Sequence, residues 1–446
     1  MNFLPRSRIT PNPRRRWRGA GDDQSSKSKV LPYGPQIDLN FATGTYYGVG
    51  AAPPSSFLTT TRASIGMAVD SRGSWTSFAA NTPRITNLGL LVEESRTNSI
   101  RNNTMQGAAA GSPGTLPTNW SAYDGGGFAT QAIVGTGTEN GIAYIDIRLT
   151  GSTSNQYAVY FDTTTAIAAA NAQAWAFSAF VKLVAGSLTD ISSMFSAIDQ
   201  YSSAPAFLAT VNGGAFTPGS NSTPLGQCRI TGPVTTNNAS TASIQPYISF
   251  LTAAGPFDLT LRIGWPQLEL GAFATSPIPT AAAAVTRAAD VITLASPPAF
   301  GGAYSLLAQG TPQAPASFAA NQVIFNTTLP TVTTDRSTLA RVATTATAQV
   351  VMRIAGVNGY NQSSASAWAQ NAPGKLAVAY APNLQNAAFN GALMTGGSNA
   401  ALPATPTEVD FGTVTGGTNA WDGLISRIAL WPTTALSAAQ LQQITT

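Results

Sequence analysis

The stretch Trp175-Ala176-Phe177-Ser178-Ala179-Phe180-Val181-Lys182-Leu183 decides the fold class. Trp175, Phe177, Ala179, Val181 and Leu183 fall on one parity, and Ala176, Ser178, Phe180 and Lys182 on the other. Successive side chains of a strand point to opposite faces, so this reads as a strand with one buried and one wetter face. The pattern recurs at Ala143, Ile145, Ile147 and Leu149 against Tyr144, Asp146 and Arg148. It recurs again at Leu259, Leu261, Ile263 and Trp265 against Thr260 and Arg262. Turn-forming residues separate these runs and no long helical period interrupts them, which predicts a sandwich or jelly roll.

Toward the C-terminus, beyond Ser276-Pro277-Ile278-Pro279 and the alanine run 281–284, a second series begins: Val350, Met352, Ile354, then Leu376, Val378, Tyr380, then Ile428 and Leu430. It predicts a second β-sandwich over 281–446. Ser437 and Gln440 have capping-box spacing, with Leu436 and Leu441 at the staple positions, so the chain should close on a short helix that lays Leu441 and Ile444 against the end of the sandwich. Toward the N-terminus, Ile37-Asp38-Leu39-Asn40-Phe41 alternates and a second β-like stretch covers Phe57–Val69, while the low-complexity stretch Asn98–Gly114 reads as a connection. The expected organisation is a basic arm over 1–35, a small β-rich connector over 36–104, a jelly roll over 105–280 and a sandwich over 281–446. The class is all-β, with tandem antiparallel sandwiches, a flexible N-terminal arm and a C-terminal helix.

Composition narrows the function. Charged residues are only 9% of 446, against about a quarter in ordinary soluble domains, and uncharged polar residues fill the difference. Such a surface suits extracellular and virion β-proteins that meet neighbours through flat contacts. The net charge of +4 is uneven: residues 1–30 carry eight Lys and Arg against Asp22 and Asp23, leaving the remainder at −2. Phosphate binding needs clustered cations, so nucleic acid is not an expected partner of the main body. With no His and the single Cys228, His triads, His metal sites and an intrachain disulfide framework are excluded. No ligand-spaced acidic loop stands out, so neither metal nor cofactor is expected. No apolar run approaches the roughly 18 residues of a membrane span, and Arg6 and Arg8 lie where a secretory signal needs an apolar core. Synthesis in a host cytoplasm is the expectation.

Three passages carry a resemblance. The first joins Thr60-Thr61-Arg62-Ala63-Ser64 and Ala79-Ala80-Asn81-Thr82-Pro83-Arg84 to the run Leu88–Asn98. The second is Trp265–Thr280, continuing to Val285-Thr286-Arg287-Ala288-Ala289-Asp290, and the third is Trp421–Trp431 with Leu436-Ser437. The first two resemble segments found in this order in bacteriophage fibre and head-spike proteins. The third is similar to the closing strand and helix of laminin-G or concanavalin-like sandwiches. The resemblance implies a carbohydrate-binding-module-like jelly roll followed by a concanavalin-like sandwich, in a virion protein on the particle's external surface, assembled as a homo-oligomer, in most such fibres a trimer.

Candidate residues follow. Glu93, Glu94 and Arg96 adjoin an apolar run, Arg62 and Arg287 recur in the same Thr-Arg-Ala setting, and Glu269 lies in the second passage. These read as structural groups that join one domain to the next. The alternative, a glycosidase acid pair at Glu93 and Glu94, meets the objection that neighbours in a strand face opposite ways. Trp120 and Tyr123, with Tyr360 and Trp368, sit in turn-rich stretches and read as rings for stacking on sugar, against the plainer reading that each packs over its own loop. Arg14, Arg15, Arg16, Trp17 and Arg18 read as a virion anchor that docks on another capsid, neck or tail protein, with nucleic acid as the other reading. The function expected is a non-catalytic fibre or spike subunit that attaches to host surface polysaccharide. A decoration protein without host recognition and a polysaccharide depolymerase are the alternatives; the latter are often β-helices, whose short repeats are absent from this sequence.

Overall fold

The computed structural model describes residues 31–50, 53–329, 332–414 and 417–446. The chain is all-β, two tandem antiparallel sandwiches with a short C-terminal helix. In the middle sandwich one sheet has five strands, in spatial order Ala129–Glu139, Ile142–Gly151, Phe257–Leu270, Ala174–Gly186 and Arg229–Thr235. The facing sheet runs Phe207–Ala215, Ile191–Tyr201, Ser243–Thr252, Gln156–Tyr160 and Ser121–Asp124, with Ile167–Ala168 also paired to Ser243–Thr252. Trp175, Phe177, Ala179 and Val181 enter the core between the sheets, beside Ile145, Ile147, Leu149, Leu259, Leu261 and Ile263. Burying each large side chain of this kind is worth about 1.5–3 kcal/mol, and a one-residue slip would move the whole set to the wet face. Trp265 departs from the alternation. Its φ of +38° and a register shift between Ser178 and Phe180 turn it to the outward face, where its ring meets Phe180.

The terminal sandwich takes strands from both ends of the chain. Ile37–Asn40 and Gly89–Val92 pair with successive parts of one edge of Gly423–Trp431, and Tyr304–Pro312 pairs with its other edge. In the facing seven-stranded sheet Leu58–Thr61 pairs with Val291–Leu294. The connector expected over 36–104 is therefore not a separate unit. Its apolar residues Ile37, Leu39, Phe41, Phe57, Leu58, Leu90 and Val92 share one core with Leu306, Val378 and Ile428. The exception is the hairpin Gly66–Val69 and Trp75–Phe78, which leaves this sandwich: Met67 and Trp75 pack with Ile142, Phe180, Leu225 and Trp265 on the outer face of the five-stranded sheet. The expected boundary at 105 also moves, since Ile100 and Met105 already belong to the middle core.

The helix Ala438–Thr445 has its capping box, with Ser437 Oγ accepting from the Gln440 N–H and Gln440 Oε1 from the Ser437 N–H. Leu441 and Ile444 pack on the outer face of the larger sheet, against Leu307, Ala377, Ala379, Ala388 and Ala429, and not against the sandwich end. Small alanine side chains let the helix approach that face. Of the arm expected over 1–35, the last residues lie on this sandwich: the Leu31 N–H donates to Asp38 Oδ2 at 2.9 Å, and Trp431 Nε1 to the Tyr33 carbonyl at 2.9 Å.

Candidate functional site

The outward face of the six-stranded sheet collects aromatic rings. In Gln156–Tyr160, Tyr157 and Val159 enter the core, which sends Ala158 and Tyr160 outward. In Ile191–Tyr201, Met194 and Ile198 point in, and Phe195, Ala197, Asp199 and Tyr201 point out. In Ser243–Thr252, Ile244, Ile248 and Phe250 point in, and Gln245, Tyr247 and Ser249 out. The register lays these side chains in rows: Tyr123, Ala158, Ser249 and Phe195; then Tyr160, Tyr247 and Ala197; then Gln245, Asp199 and Thr210; then Tyr201 and Phe207. Tyr160 and Tyr247 have ring centroids 4.7 Å apart, Phe195 and Tyr247 6.5 Å, and Tyr201 and Phe207 6.1 Å, over a floor of Ala158 and Ala197.

Asp199 sits buried at the centre of the rings. It accepts from Tyr160 Oη at 3.0 Å and Thr210 Oγ1 at 2.5 Å, and the Tyr247 hydroxyl also bonds to it. Burial pushes its carboxyl above the usual range, opposed by these hydroxyl bonds. Burial and the Asp199 charge raise the Tyr160 and Tyr247 hydroxyls and push Tyr201 up to about 12, so all three stay protonated. Gln245 accepts from Tyr201 Oη at 3.0 Å. Tyr247 is 3% exposed and Asp199 is buried beside it, so the open part of the face is the half-buried Tyr160, Phe195 and Tyr201 with the exposed Tyr123 and Phe207, flat rings beside fixed hydroxyl and amide groups that can hold a sugar by its apolar face and its hydroxyls.

Of the four rings read from turn-rich stretches, only Tyr123 lies here, 50% exposed. Trp120 is 7% exposed and meets Phe161 edge-on at 4.8 Å. Tyr360 is 3% exposed and donates to the Thr395 carbonyl, and Trp368, 1% exposed, packs on Phe389 and Trp421. These three are core side chains with no face free for a ligand. Gly356–Gly374 is mostly the strand Val357–Ala367, and Tyr360 stands on its inward parity. Strand parity does single out a cluster: Tyr160, Phe195, Tyr201 and Tyr247 are large aromatics on the outward side of strands whose other side packs the core.

The residues read as domain joints come together between the sandwiches, where Arg96–Asn98 pairs with Val285–Arg287. Glu93 is buried. Its Oε2 accepts from Arg84 Nη1 at 2.7 Å and Ser276 Oγ at 2.6 Å and lies 2.8 Å from Arg287 Nη1, and its Oε1 accepts from the Ser276 N–H at 2.7 Å. Burial alone would raise this carboxyl; Arg287, Arg84 and the Ser276 bonds outweigh it and hold it down to about 2. Arg62 pairs with Asp290 at 2.7 Å and donates to the carbonyls of Ser64, Ala79 and Thr82, while Arg84 also pairs with Asp290. Arg96 pairs with Glu94 at 2.5 Å, and Glu269 accepts from the Thr275 N–H and hydroxyl. Glu93 and Glu94 are each engaged in this packing, which leaves no acid pair facing a cleft. Sequence reading named neither Arg84 nor Asp290 as site residues, though both stand inside the quoted passages. Arg14, Arg15, Arg16, Trp17 and Arg18 lie outside the described residues.

Among the described residues no group of three or more His, Cys, Asp and Glu is placed to hold a metal ion, and no helix is long and apolar enough to cross a membrane. No protein-family model matches the sequence, and no curated protein matches it. Solved structures similar to the chain include the carbohydrate-binding module CBM40 of the Ruminococcus gnavus IT-sialidase bound to α2,3-sialyllactose. It is 13% identical with a TM-score of 0.28, over 35% of this chain and 96% of that one. The tandem CBM22-1–CBM22-2 domain of Paenibacillus barcinonensis Xyn10C is 9% identical with a TM-score of 0.25, over 73% and 98%. Domains LG4-5 of the mouse laminin α1 chain are 10% identical with a TM-score of 0.21, over 63% and 86%. These three neighbours are carbohydrate-binding modules and laminin G domains.

Proposed function

We propose that this chain is a non-catalytic, glycan-binding fibre or spike subunit of a bacteriophage particle, and that the outward aromatic face of the middle sandwich is the surface that meets host polysaccharide. The observation that carries the glycan reading is the cluster of Tyr160, Phe195, Tyr201 and Tyr247 around the buried Asp199. Tyr247 is itself buried, 3% exposed, and anchors the cluster, while the half-buried Tyr160, Phe195 and Tyr201 join the exposed Tyr123 and Phe207 as open aromatic surface on the wet side of the sheet, and such surface marks contact sites. Asp199 has hydroxyl groups for hydrogen-bond partners, whereas glycoside hydrolysis by the common route takes two carboxyl groups flanking the bond; this supports binding without cleavage. The virion assignment is supported by the resemblance of the first two passages to segments of phage fibre and head-spike proteins. In this reading the basic N-terminal arm docks on other virion proteins and the body assembles as a trimer.

Incubation with purified host capsule or lipopolysaccharide tests the reading. Retention without new reducing ends is expected, and Tyr160→Ala or Tyr247→Ala should abolish it. Release of oligosaccharides would place the chain among depolymerases, and no binding to any host glycan would favour a decoration protein. Weak contacts suffice in this scheme, since many copies on one particle convert them into firm attachment.

A further inference from the structure

A cleft of about 400 Å³ opens where the two sandwiches and the hairpin Gly66–Val69 and Trp75–Phe78 meet. It lies by the five-stranded sheet, so it is distinct from the aromatic face of the six-stranded one. Its walls include Trp75, Phe273 and Arg229, and Gln313, Gln370 and Asn371 reach it from the terminal sandwich. The volume falls within the range of small-ligand pockets, which favour domain interfaces and combine aromatic walls with a few polar groups.

Two observations say what such a ligand would carry. Trp75 Nε1 and Arg229 Nε are buried N–H donors with no acceptor in the protein, and a buried donor left unpaired is costly. The other is the way the arginines of the junction are paired. Arg62, Arg84, Arg96 and Arg287 each have a carboxylate within 4 Å. Arg229 makes no ion pair among the described residues: its Nη2 donates to Ser178 Oγ at 2.9 Å and the Thr275 carbonyl at 2.7 Å, and its guanidinium lies 5.6 Å from the Phe180 ring. A buried guanidinium that Glu269 and Glu93 reach only through their charge, with no carboxylate at ion-pair distance, lining a cleft with its own N–H unpartnered, can take an anion.

We propose that this cleft binds a carboxylate-bearing sugar of the uronic-acid type, the carboxylate on Arg229 and the sugar ring against Trp75 and Phe273. A hydroxyl or ring oxygen of the sugar accepts from Trp75 Nε1, and the side chains of Gln370 and Asn371 bond to the remaining hydroxyls at the mouth. Because both sandwiches line the cleft, the bound sugar touches both.

Calorimetry on the full chain tests this with D-glucuronate, using methyl glucoside as the control without carboxylate and acetate as the control without a ring. Glucuronate should bind at least about tenfold more tightly than either control. Arg229→Gln should weaken it by at least about tenfold, the loss of one charge-assisted bond, and Trp75→Phe should weaken it severalfold. Tyr160→Ala and Tyr247→Ala, on the opposite sheet, should leave it unchanged even if they abolish polysaccharide retention. Should Arg229→Gln fail to fold, 5-fluorotryptophan labelling of the otherwise unaltered chain gives a second readout, in which glucuronate must shift the Trp75 resonance and methyl glucoside must not. Absence of glucuronate binding, equal binding of the controls, or a loss in Tyr247→Ala matched by none in Arg229→Gln overturns the proposal.

Discussion

Replacing Glu93 with Gln isolates what holds the two sandwiches together. Glutamine keeps the length of the side chain and can still accept from the Ser276 N–H through Oε1. Oε2 is different: Arg84, Arg287 and Ser276 Oγ all converge on it at 2.6–2.8 Å, and an amide nitrogen there would present hydrogens to three donors. Breaking a buried ion pair by removing one partner costs about 3–5 kcal/mol. The depressed carboxyl gives a second figure. The carboxyl is held at about 2 against an ordinary 4.5, and at 1.36 kcal/mol per unit that difference is about 3 kcal/mol. The folded pKa lies below the unfolded one, so this contribution is present above pH 4.5 and is lost as pH falls toward 2. Denaturant unfolding followed by tryptophan fluorescence should therefore show Glu93→Gln destabilised by about 3–5 kcal/mol at pH 7, with the gap closing by about 3 kcal/mol as pH approaches 2. The two sandwiches need not unfold in one transition, so amide exchange in Arg96–Asn98 and Val285–Arg287 locates the loss. A variant within about 0.5 kcal/mol of the parent at pH 7, or a gap that stays constant with pH, would refute the reasoning.

Trp368→Ala should destabilise the terminal sandwich by about 3–5 kcal/mol, the range for emptying an aromatic core site, and leave polysaccharide retention intact when measured below its melting temperature; lost retention in a folded protein would return this ring to the binding surface. Asp199→Asn should weaken retention with little change in thermal stability, because the acid orients the Tyr160, Tyr247 and Thr210 hydroxyls. Removing residues 1–30 should leave a folded body that no longer enters particles, and normal incorporation on infection would exclude the arm as the anchor; Leu31–Pro35 should be kept, since Leu31 and Tyr33 bond to the sandwich. Light scattering at micromolar concentration should find the body self-associated, and a monomer would count against the trimer.

The fold class was legible because alternation is a local signal: the stretch Trp175–Leu183 names its buried face without knowledge of any partner strand. Domain membership was not, since Ile37–Asn40 and Gly89–Val92 find their place on an edge of Gly423–Trp431, more than three hundred residues away, and no short-range pattern records such a pairing. The outward aromatic face was not legible in the turn-rich stretches, because glycines and turn residues say where the chain bends, not which way a ring points. Tyr360 and Trp368 followed the inward parity of their surroundings, and Tyr160 and Tyr247 the outward one.

The low charge of the chain also takes on a different meaning in the fold. Only 23 basic and 19 acidic side chains are available, and Arg62, Arg84, Arg96, Arg229, Arg287, Glu93, Glu94, Glu269, Asp290 and Asp422 gather at one junction. Burial, with the Glu94 charge beside it, pushes the Asp422 carboxyl well above the carboxylate range. Five arginines and five acids thus share a place where each unpaired charge is expensive. An apolar interface of the same area would hold two sandwiches together at least as well. What the ionic one adds is a fixed geometry, since bidentate and multiply bonded guanidinium groups tolerate little rotation, and one guanidinium outside ion-pair distance of any acid among the described residues, Arg229, on the wall of the cleft.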